Sequence, residues 1–181
     1  MHDHKVTSEF IETMLESRGT GIARDLKLNL RRLIEESSLT PQESTLALLA
    51  CATAVDHRSL VSHSRERLVA LEFSTEQIQE GAEVAALMGM LNYYYRFKHM
   101  LGKDEEYKTA GLRMTSMARP ALGKELFEML AFAVSVINGC ENCVKAHENV
   151  LRESGVSVDK VHDLARLAAV VNGLKVLEYA A

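Results

Sequence analysis

Tryptophan is absent from this 181-residue chain and aromatic residues make up only 6% of it, so the interior has to be filled mainly by Ala, Leu, Val and Met. That is the composition of a helical bundle. No segment alternates apolar and polar β-branched residues in a sustained period of two, and Asn-Gly pairs occur only at 138–139 and 172–173, which excludes a sheet as the organising element. Proline stands only at positions 41 and 120, each time just before a long Ala/Leu-rich segment, and reads as punctuation between helices. No window reaches 18 consecutive apolar residues, and the N-terminal stretch MHDHKVTSEFIETMLESRG has neither an apolar h-region nor a small-residue cleavage site. A soluble cytoplasmic protein is therefore expected. The formal charge of −4 gives no reason to expect nucleic acid or an anionic membrane as partner. Cysteine occurs three times, an odd and low count unlike the dense even sets of secreted scaffolds. In a reducing compartment a CxxC is a metal or redox motif.

What is present is a succession of helical patterns. LTPQESTLALLACATAV offers Thr40 as N-cap, Pro41 at the first helical position and Glu43 at the third, followed by an apolar run to Val55. HRSLVSHSRERLVAL follows after a short break, and STEQIQEGAEVAALMGMLNYYYRFKHML then begins with Ser74 and Gln77 in capping positions. This last segment predicts the longest helix, with Ile78, Ala82, Ala85, Ala86 and Met90 at helical spacing. After Pro120 the order returns as GKELFEMLAFAVSVI, CENCVKAHENVLRES and SVDKVHDLARLAAVVNGLKVLEYA. A shift of 83 residues places Ser74 on Ser157, Ile78 on Val161, Ala82 on Ala165 and Leu91 on Leu174 without a gap. The expectation is all-α: one domain over 1–181, a helical bundle of two similar three-helix halves at about 40–100 and 120–180, plus an N-terminal helix. The same shift sets Cys140 on His57, Cys143 on Leu60 and Glu128 on Thr45, so the fold itself does not require the cysteines.

Chemistry concentrates in INGCENCVKAHENVL, residues 137–151. Gly139 can take the left-handed conformation that reverses the chain, and the next helix starts at or beside Cys140. Cys140, Cys143 and His147 then fall at i, i+3 and i+7 on one helix face. At a helix N-terminus the free N–H groups and the macrodipole favour a thiolate, and CxxC pairing lowers a thiol from its free value of about 8.5. An antiparallel hairpin folded about residues 138 and 139 would bring Glu128 within a turn of His147, giving a chain Glu128, His147, Cys143 in which a carboxylate orients an imidazole and the imidazole takes a thiol proton.

Three readings compete for the motif. Structural zinc wants four ligands, and the helix offers three. A permanent disulfide would close only a four-residue loop. A redox-active dithiol accounts for the spacing, the helix start, the imidazole and the glycine together. The dipole favours Cys140 as the reactive thiol and the imidazole favours Cys143, so geometry leaves that choice open.

Other residues carry less. Cys51, within LALLACATAV, reads as a small buried hydrophobe. His2, His4, His57, His63, His99 and His162 are scattered and read as surface or satisfied histidines; GKDEEY reads as a solvated loop. The tyrosines of YYYRFKHM spread around a helix, so at least one ring is expected in the core, and Met88, Met90, Met114, Met117 and Met129 read as core filler or an oligomer contact.

FEMLAFAVSVINGCENCVKAHENVLRESGV closely resembles the alkyl hydroperoxide reductase D (AhpD) family, within the carboxymuconolactone-decarboxylase-like superfamily. The carrying motif is a Glu twelve residues before CxxCxxxH, and DLKLNL at 25–30, MGMLNYYYRF at 88–97 and GLRM at 111–114 extend the likeness from about Asp25 onward. The resemblance implies an all-helical, homotrimeric thiol peroxidase, a lipoyl-dependent peroxiredoxin that reduces organic hydroperoxides and serves as reductant for the peroxiredoxin AhpC. No bound cofactor is implied. The external reductant is a dihydrolipoyl group on a lipoylated 2-oxoacid dehydrogenase component. By the same resemblance Cys143 is the peroxidatic cysteine that passes through a sulfenic acid, and Cys140 donates a proton and then resolves it to the Cys140–Cys143 disulfide. Glu128 and His147 match the proton relay. Some relatives carry a histidine just before the second cysteine, where this chain has Asn142, which leaves a shorter relay through Glu128 and His147. The alternative in another class is a non-catalytic CxxC redox sensor or interaction protein; a decarboxylase or hydrolase on the same fold has no evident need of the dithiol.

Overall fold

Two capping boxes fix where the predicted helices begin. Thr40 accepts a hydrogen bond from the Glu43 N–H at 3.2 Å while the Glu43 carboxylate accepts one from the Thr40 N–H at 2.7 Å, and Ser74 and Gln77 make the same reciprocal pair at 3.2 and 3.0 Å. In this computed structural model, which describes residues 3–103 and 105–179, the described residues form eight α-helices: α1 (Asp3–Met14), α2 (Gly21–Glu35), α3 (Pro41–Ala54), α4 (Arg58–Ala70), α5 (Thr75–Leu101), α6 (Lys124–Ile137), α7 (Glu141–Glu153) and α8 (Val158–Tyr179). A 3-10 turn at Thr115–Ala118 lies in the connection from α5 to α6. The readings of His2, of Asp104 within GKDEEY, of the His4 side chain and of the chain beyond Tyr179 fall outside the described residues.

Helices α3 and α6 form the centre of the bundle. Leu46 to Ala52 of α3 and Phe127 to Ser135 of α6 are buried without a break, which is how a helix reads when it is apolar all round rather than along one stripe. These two pack on each other, and both pack on α5 and α8. With no tryptophan available, Leu46, Leu49, Leu60, Met88, Met129, Leu130, Leu151 and Leu164 supply the fully buried bulk. Cys51 lies in the same interior, where burial pushes its thiol up to about 12 and keeps it protonated.

The 83-residue shift has a counterpart in the helix ends. Val55 and Asn138 are the C-caps of α3 and α6, His57 and Cys140 the N-caps of α4 and α7, and Ser74 and Ser157 each accept a backbone N–H three residues on. Two details differ from the sequence reading. Two helices, α1 and α2, precede the first set of three where one was expected, because Thr20 accepts from the Ala23 N–H and starts a second helix after the break at Gly19. Along α5, Ile78, Ala82 and Ala85 are buried as expected but Ala86 and Met90 are exposed; the buried stripe continues through Met88, Leu91 and Asn92 instead. Spacing of three and four residues from Ile78 reaches 81, 85, 88 and 92; Ala86 lies about a third of a turn, and Met90 nearly half a turn, off the centre of that line.

Helix α1 docks through His63. Its ring stacks on Phe10 with centroids 4.1 Å apart, and its Nε2 lies 3.3 Å from the Thr7 hydroxyl. Burial lowers both His63 and His57 from the ordinary 6.5, so the folded protein holds them neutral while the unfolded chain protonates them. Their contribution is full above pH 6.5 and is lost as pH falls through that value toward the depressed folded ones. Thermal unfolding should therefore show a midpoint that drops between pH 7.5 and 5.5, with a smaller drop in His63→Gln; equal slopes in the two proteins would contradict this.

Candidate dithiol site

The site is built where α6 turns into α7. Asn138 ends α6, Gly139 takes φ +63°, and Cys140 in an extended conformation caps α7, its sulfur accepting the Cys143 N–H at 3.3 Å. That φ is costly for a residue with a Cβ, which is why the reversal uses glycine. The turn is also held from outside. Buried Asn92 of α5 donates to the Ser135 hydroxyl at 3.0 Å and accepts from the Asn138 amide at 2.9 Å, while Arg96, one turn further, donates to the Asn138 carbonyl at 2.9 Å. Helix α5 thus fixes the last turn of α6, from which the chain reverses into α7.

Cys140 and Cys143 are joined as a disulfide, with Cα atoms 5.2 Å apart. Both are buried, Cys140 at 1% exposure and Cys143 at 7%, so access to sulfur is through cavities rather than from open surface. Glu128, on the otherwise apolar α6, lies 2.7 Å from His147 Nδ1 by its Oε2, with side chains 11% and 12% exposed. A carboxylate so placed fixes the tautomer of the ring and leaves Nε2 as the atom free for proton exchange. The structure therefore brings together all four residues singled out in the sequence. Among the described residues no group of three or more His, Cys, Asp or Glu is arranged to hold a metal ion.

A pocket of about 370 Å³ opens over Cys143 and His147. Its other walls come from Met88, Leu91, Asn92 and Tyr95 of α5 and from Met114 and Met117 in the connection to α6, giving an almost wholly apolar lining. Met88 and Met129 are core as expected and Met90 is exposed, but Met114 and Met117 are pocket wall, a role their spacing did not suggest. None of the three tyrosines is fully buried; Tyr95 alone packs partly on the core. A larger cavity, about 740 Å³ between α2 and α8, holds none of the four residues, and its buried carboxylate is already satisfied. Burial would raise Asp163, but hydrogen bonds from the Ser38 N–H and hydroxyl and from Arg166 hold it below the usual carboxylate value.

Sequence reasoning missed Asn92, Tyr95 and His99. Only their alignment was legible: Met88, Asn92, Tyr95 and His99 follow one another at steps of four, three and four, on the line of the buried stripe of α5. His99 lies 3.5 Å from Asn142 and 3.6 Å from Glu141, at the site rather than on a remote surface.

An all-helical bundle with a CxxC at a helix start and a carboxylate-held imidazole is one class of protein, and the carboxymuconolactone decarboxylase family matches the chain over residues 107–181. Among the relatives of the chain, the alkyl hydroperoxide reductase AhpD of Anaeromyxobacter dehalogenans is 42% identical over 156 residues, covering 85% of this chain and 83% of that protein. The proteins of the same name from Gluconacetobacter diazotrophicus and Coxiella burnetii are 38% identical over 168 residues (91% and 90% covered) and 41% over 157 (84% and 88%). The chain belongs to the AhpD family.

Replacing Asn92 by Ala leaves the Asn138 amide and the Ser135 hydroxyl without their buried partner, at a cost of about 1–3 kcal/mol. Denaturant titration of the two proteins measures it; an unchanged midpoint would remove Asn92 as the clamp of the turn.

Proposed function

We propose that this protein is a thiol peroxidase and disulfide reductase, in which Cys140 and Cys143 reduce organic hydroperoxides and a dihydrolipoyl group restores the dithiol. The observation that carries this reading is the Glu128–His147 hydrogen bond of 2.7 Å on the wall of the apolar pocket that Cys143 also lines. An imidazole oriented by a carboxylate, a thiol one helical turn away and a cavity suited to an apolar peroxide tail are the parts such a reaction needs. Family membership supports it, since the relatives carry the name alkyl hydroperoxide reductase.

In the reduced protein, His147 Nε2 takes the Cys143 proton and the thiolate attacks the terminal peroxide oxygen. The O–O bond breaks, the alkoxide leaves as alcohol with a proton from Cys140, and Cys143 becomes a sulfenic acid. Cys140, now a thiolate, attacks the Cys143 sulfur and displaces hydroxide, which takes the proton held by His147 and leaves as water. One hydroperoxide and two thiols have become alcohol, water and the disulfide. Cys140 suits the second role because the Cys143 N–H donates to its sulfur and favours the thiolate. Asn142 stands beside Cys143 and exchanges no proton, so the relay ends at His147.

The recycling reductant is proposed to be the lipoyl arm of a 2-oxoacid dehydrogenase component in the cytoplasm, with an AhpC-type peroxiredoxin as a second acceptor of the electrons. No helix among the described residues is long and apolar enough to cross a membrane. Tyr93, Phe97, Met100 and Leu101 form an exposed apolar strip at the end of α5, which supports assembly with further copies of the chain as a homotrimer.

Consumption of an organic hydroperoxide in the presence of dihydrolipoamide tests the proposal. Wild-type protein should turn over repeatedly, Cys143→Ser should be inactive, Cys140→Ser should stop at a trapped Cys143 sulfenic acid, and Glu128→Gln should be slower by about 10²-fold. A protein that oxidises once and stops would be a sensor, and a sulfenic acid trapped on Cys140 in Cys143→Ser would reverse the assignment.

A further inference from the structure

The two cysteines face different cavities. Cys143 lines the apolar pocket of about 370 Å³ together with His147, whereas Cys140 lines a second cavity of about 160 Å³ together with Arg96, His99 and Glu141. Tyr95 and Asn142 border both and form the partition between them. The second cavity differs in chemistry as well as place, since Arg96, His99 and Glu141, a guanidinium, an imidazole and a carboxylate, are among the residues that line it.

The imidazole there also has a carboxylate beside it, though it is more exposed and more loosely held than His147. The Asn142 amide lies 3.5 Å from His99 Nδ1, and because an amide N–H₂ only donates, Nδ1 is an acceptor and the ring proton sits on Nε2. Nε2 in turn lies 3.6 Å from the Glu141 carboxylate. Lys145, and after it His99, hold Glu141 below its usual value, so a charged carboxylate stands beside Nε2. Each cysteine thus has a cavity and a carboxylate-backed imidazole of its own.

We propose that oxidant and reductant enter by separate openings: the hydroperoxide meets Cys143 in the apolar pocket, and a dithiol reductant meets Cys140 in the polar cavity, where His99 accepts the proton of the attacking thiol. This rests on the reading of the dithiol as a peroxidase site. One thiol of the reductant displaces the Asn142 amide and gives its proton to His99 Nδ1; the resulting thiolate attacks Cys140 Sγ. The Cys140–Cys143 bond breaks, and its electron pair goes to Cys143, which takes a proton from solvent through His147. The second thiol of the reductant, its proton lost to solvent, attacks the reductant's own bound sulfur. Cys140 leaves with the electron pair, stabilised by the Cys143 N–H, and takes back the proton that His99 held. Two electrons have passed from the reductant, which departs as a cyclic disulfide.

The test separates the two half-reactions. Oxidised protein is mixed with excess dihydrolipoamide, and reduced protein with cumene hydroperoxide, each followed for a single turnover in wild type and His99→Ala. The side chain of His99 is 53% exposed, so the substitution leaves the core untouched. His99→Ala should slow reduction of the disulfide by about 10²-fold and regain rate on addition of free imidazole, while peroxide oxidation stays within about twofold of wild type. An unchanged reduction rate, an equal slowing of both halves, or a slow reduction that imidazole does not restore would each overturn the proposal. Failure of the peroxidase reading looks different: wild-type protein would not react with the hydroperoxide, yet the dependence of disulfide reduction on His99 would still be read.

Discussion

A carboxylate on a helix surrounded by Phe, Met and Leu has to find a partner, and Glu128 finds it in the N–H that His147 Nδ1 donates. The rest of the site depends on it. Because the two residues sit on α6 and α7, the bond closes the hairpin at a fixed register, and that register sets His147 on the pocket wall beside Cys143. Gly139 allows the reversal, and Asn92 and Arg96 of α5 hold Asn138 just before it. Removing the carboxylate would leave the imidazole free to rotate and its reacting nitrogen undefined, whereas the fold, set by α3 and α6, would persist.

Eighty-three residues earlier, at the ends of α3 and α4, different side chains stand at the positions of the site. His57 occupies the N-cap that Cys140 occupies in α7, and Thr45, at the place of Glu128, turns its hydroxyl back to the Pro41 carbonyl at 2.6 Å. A hydroxyl that satisfies itself within its own helix asks nothing of the next one.

Much of this was legible in the sequence because it rests on local rules. Capping residues, the two prolines and Gly139 mark helix ends, and the helix starts at Pro41 and Thr75 follow from Thr40 and Ser74. The Glu128–His147 contact was legible too, since a hairpin of known turn position makes sequence distance a guide to spatial distance. What the sequence left obscure depends on α5 crossing the hairpin, a contact between residues some forty positions apart. Asn92, Arg96 and His99 gain their meaning only once that crossing angle is known, and Met114 and Met117 only once their connection is seen to fold over the pocket. His99 looked like any scattered surface histidine because neither Glu141 nor Asn142 is near it in the chain. The exposed Ala86 and Met90 have the opposite cause: an apolar residue near a buried stripe is not on it.

The central claim is that Glu128, through His147, makes Cys143 the reactive thiol. Alkylation of the reduced protein by iodoacetamide at neutral pH, mapped by mass spectrometry, tests it most directly. The account predicts that Cys143 is modified first, that buried Cys51 stays unmodified, and that Glu128→Gln slows Cys143 while leaving Cys51 as it was. Equal Cys143 rates in wild type and Glu128→Gln, or faster modification of Cys140, would contradict it.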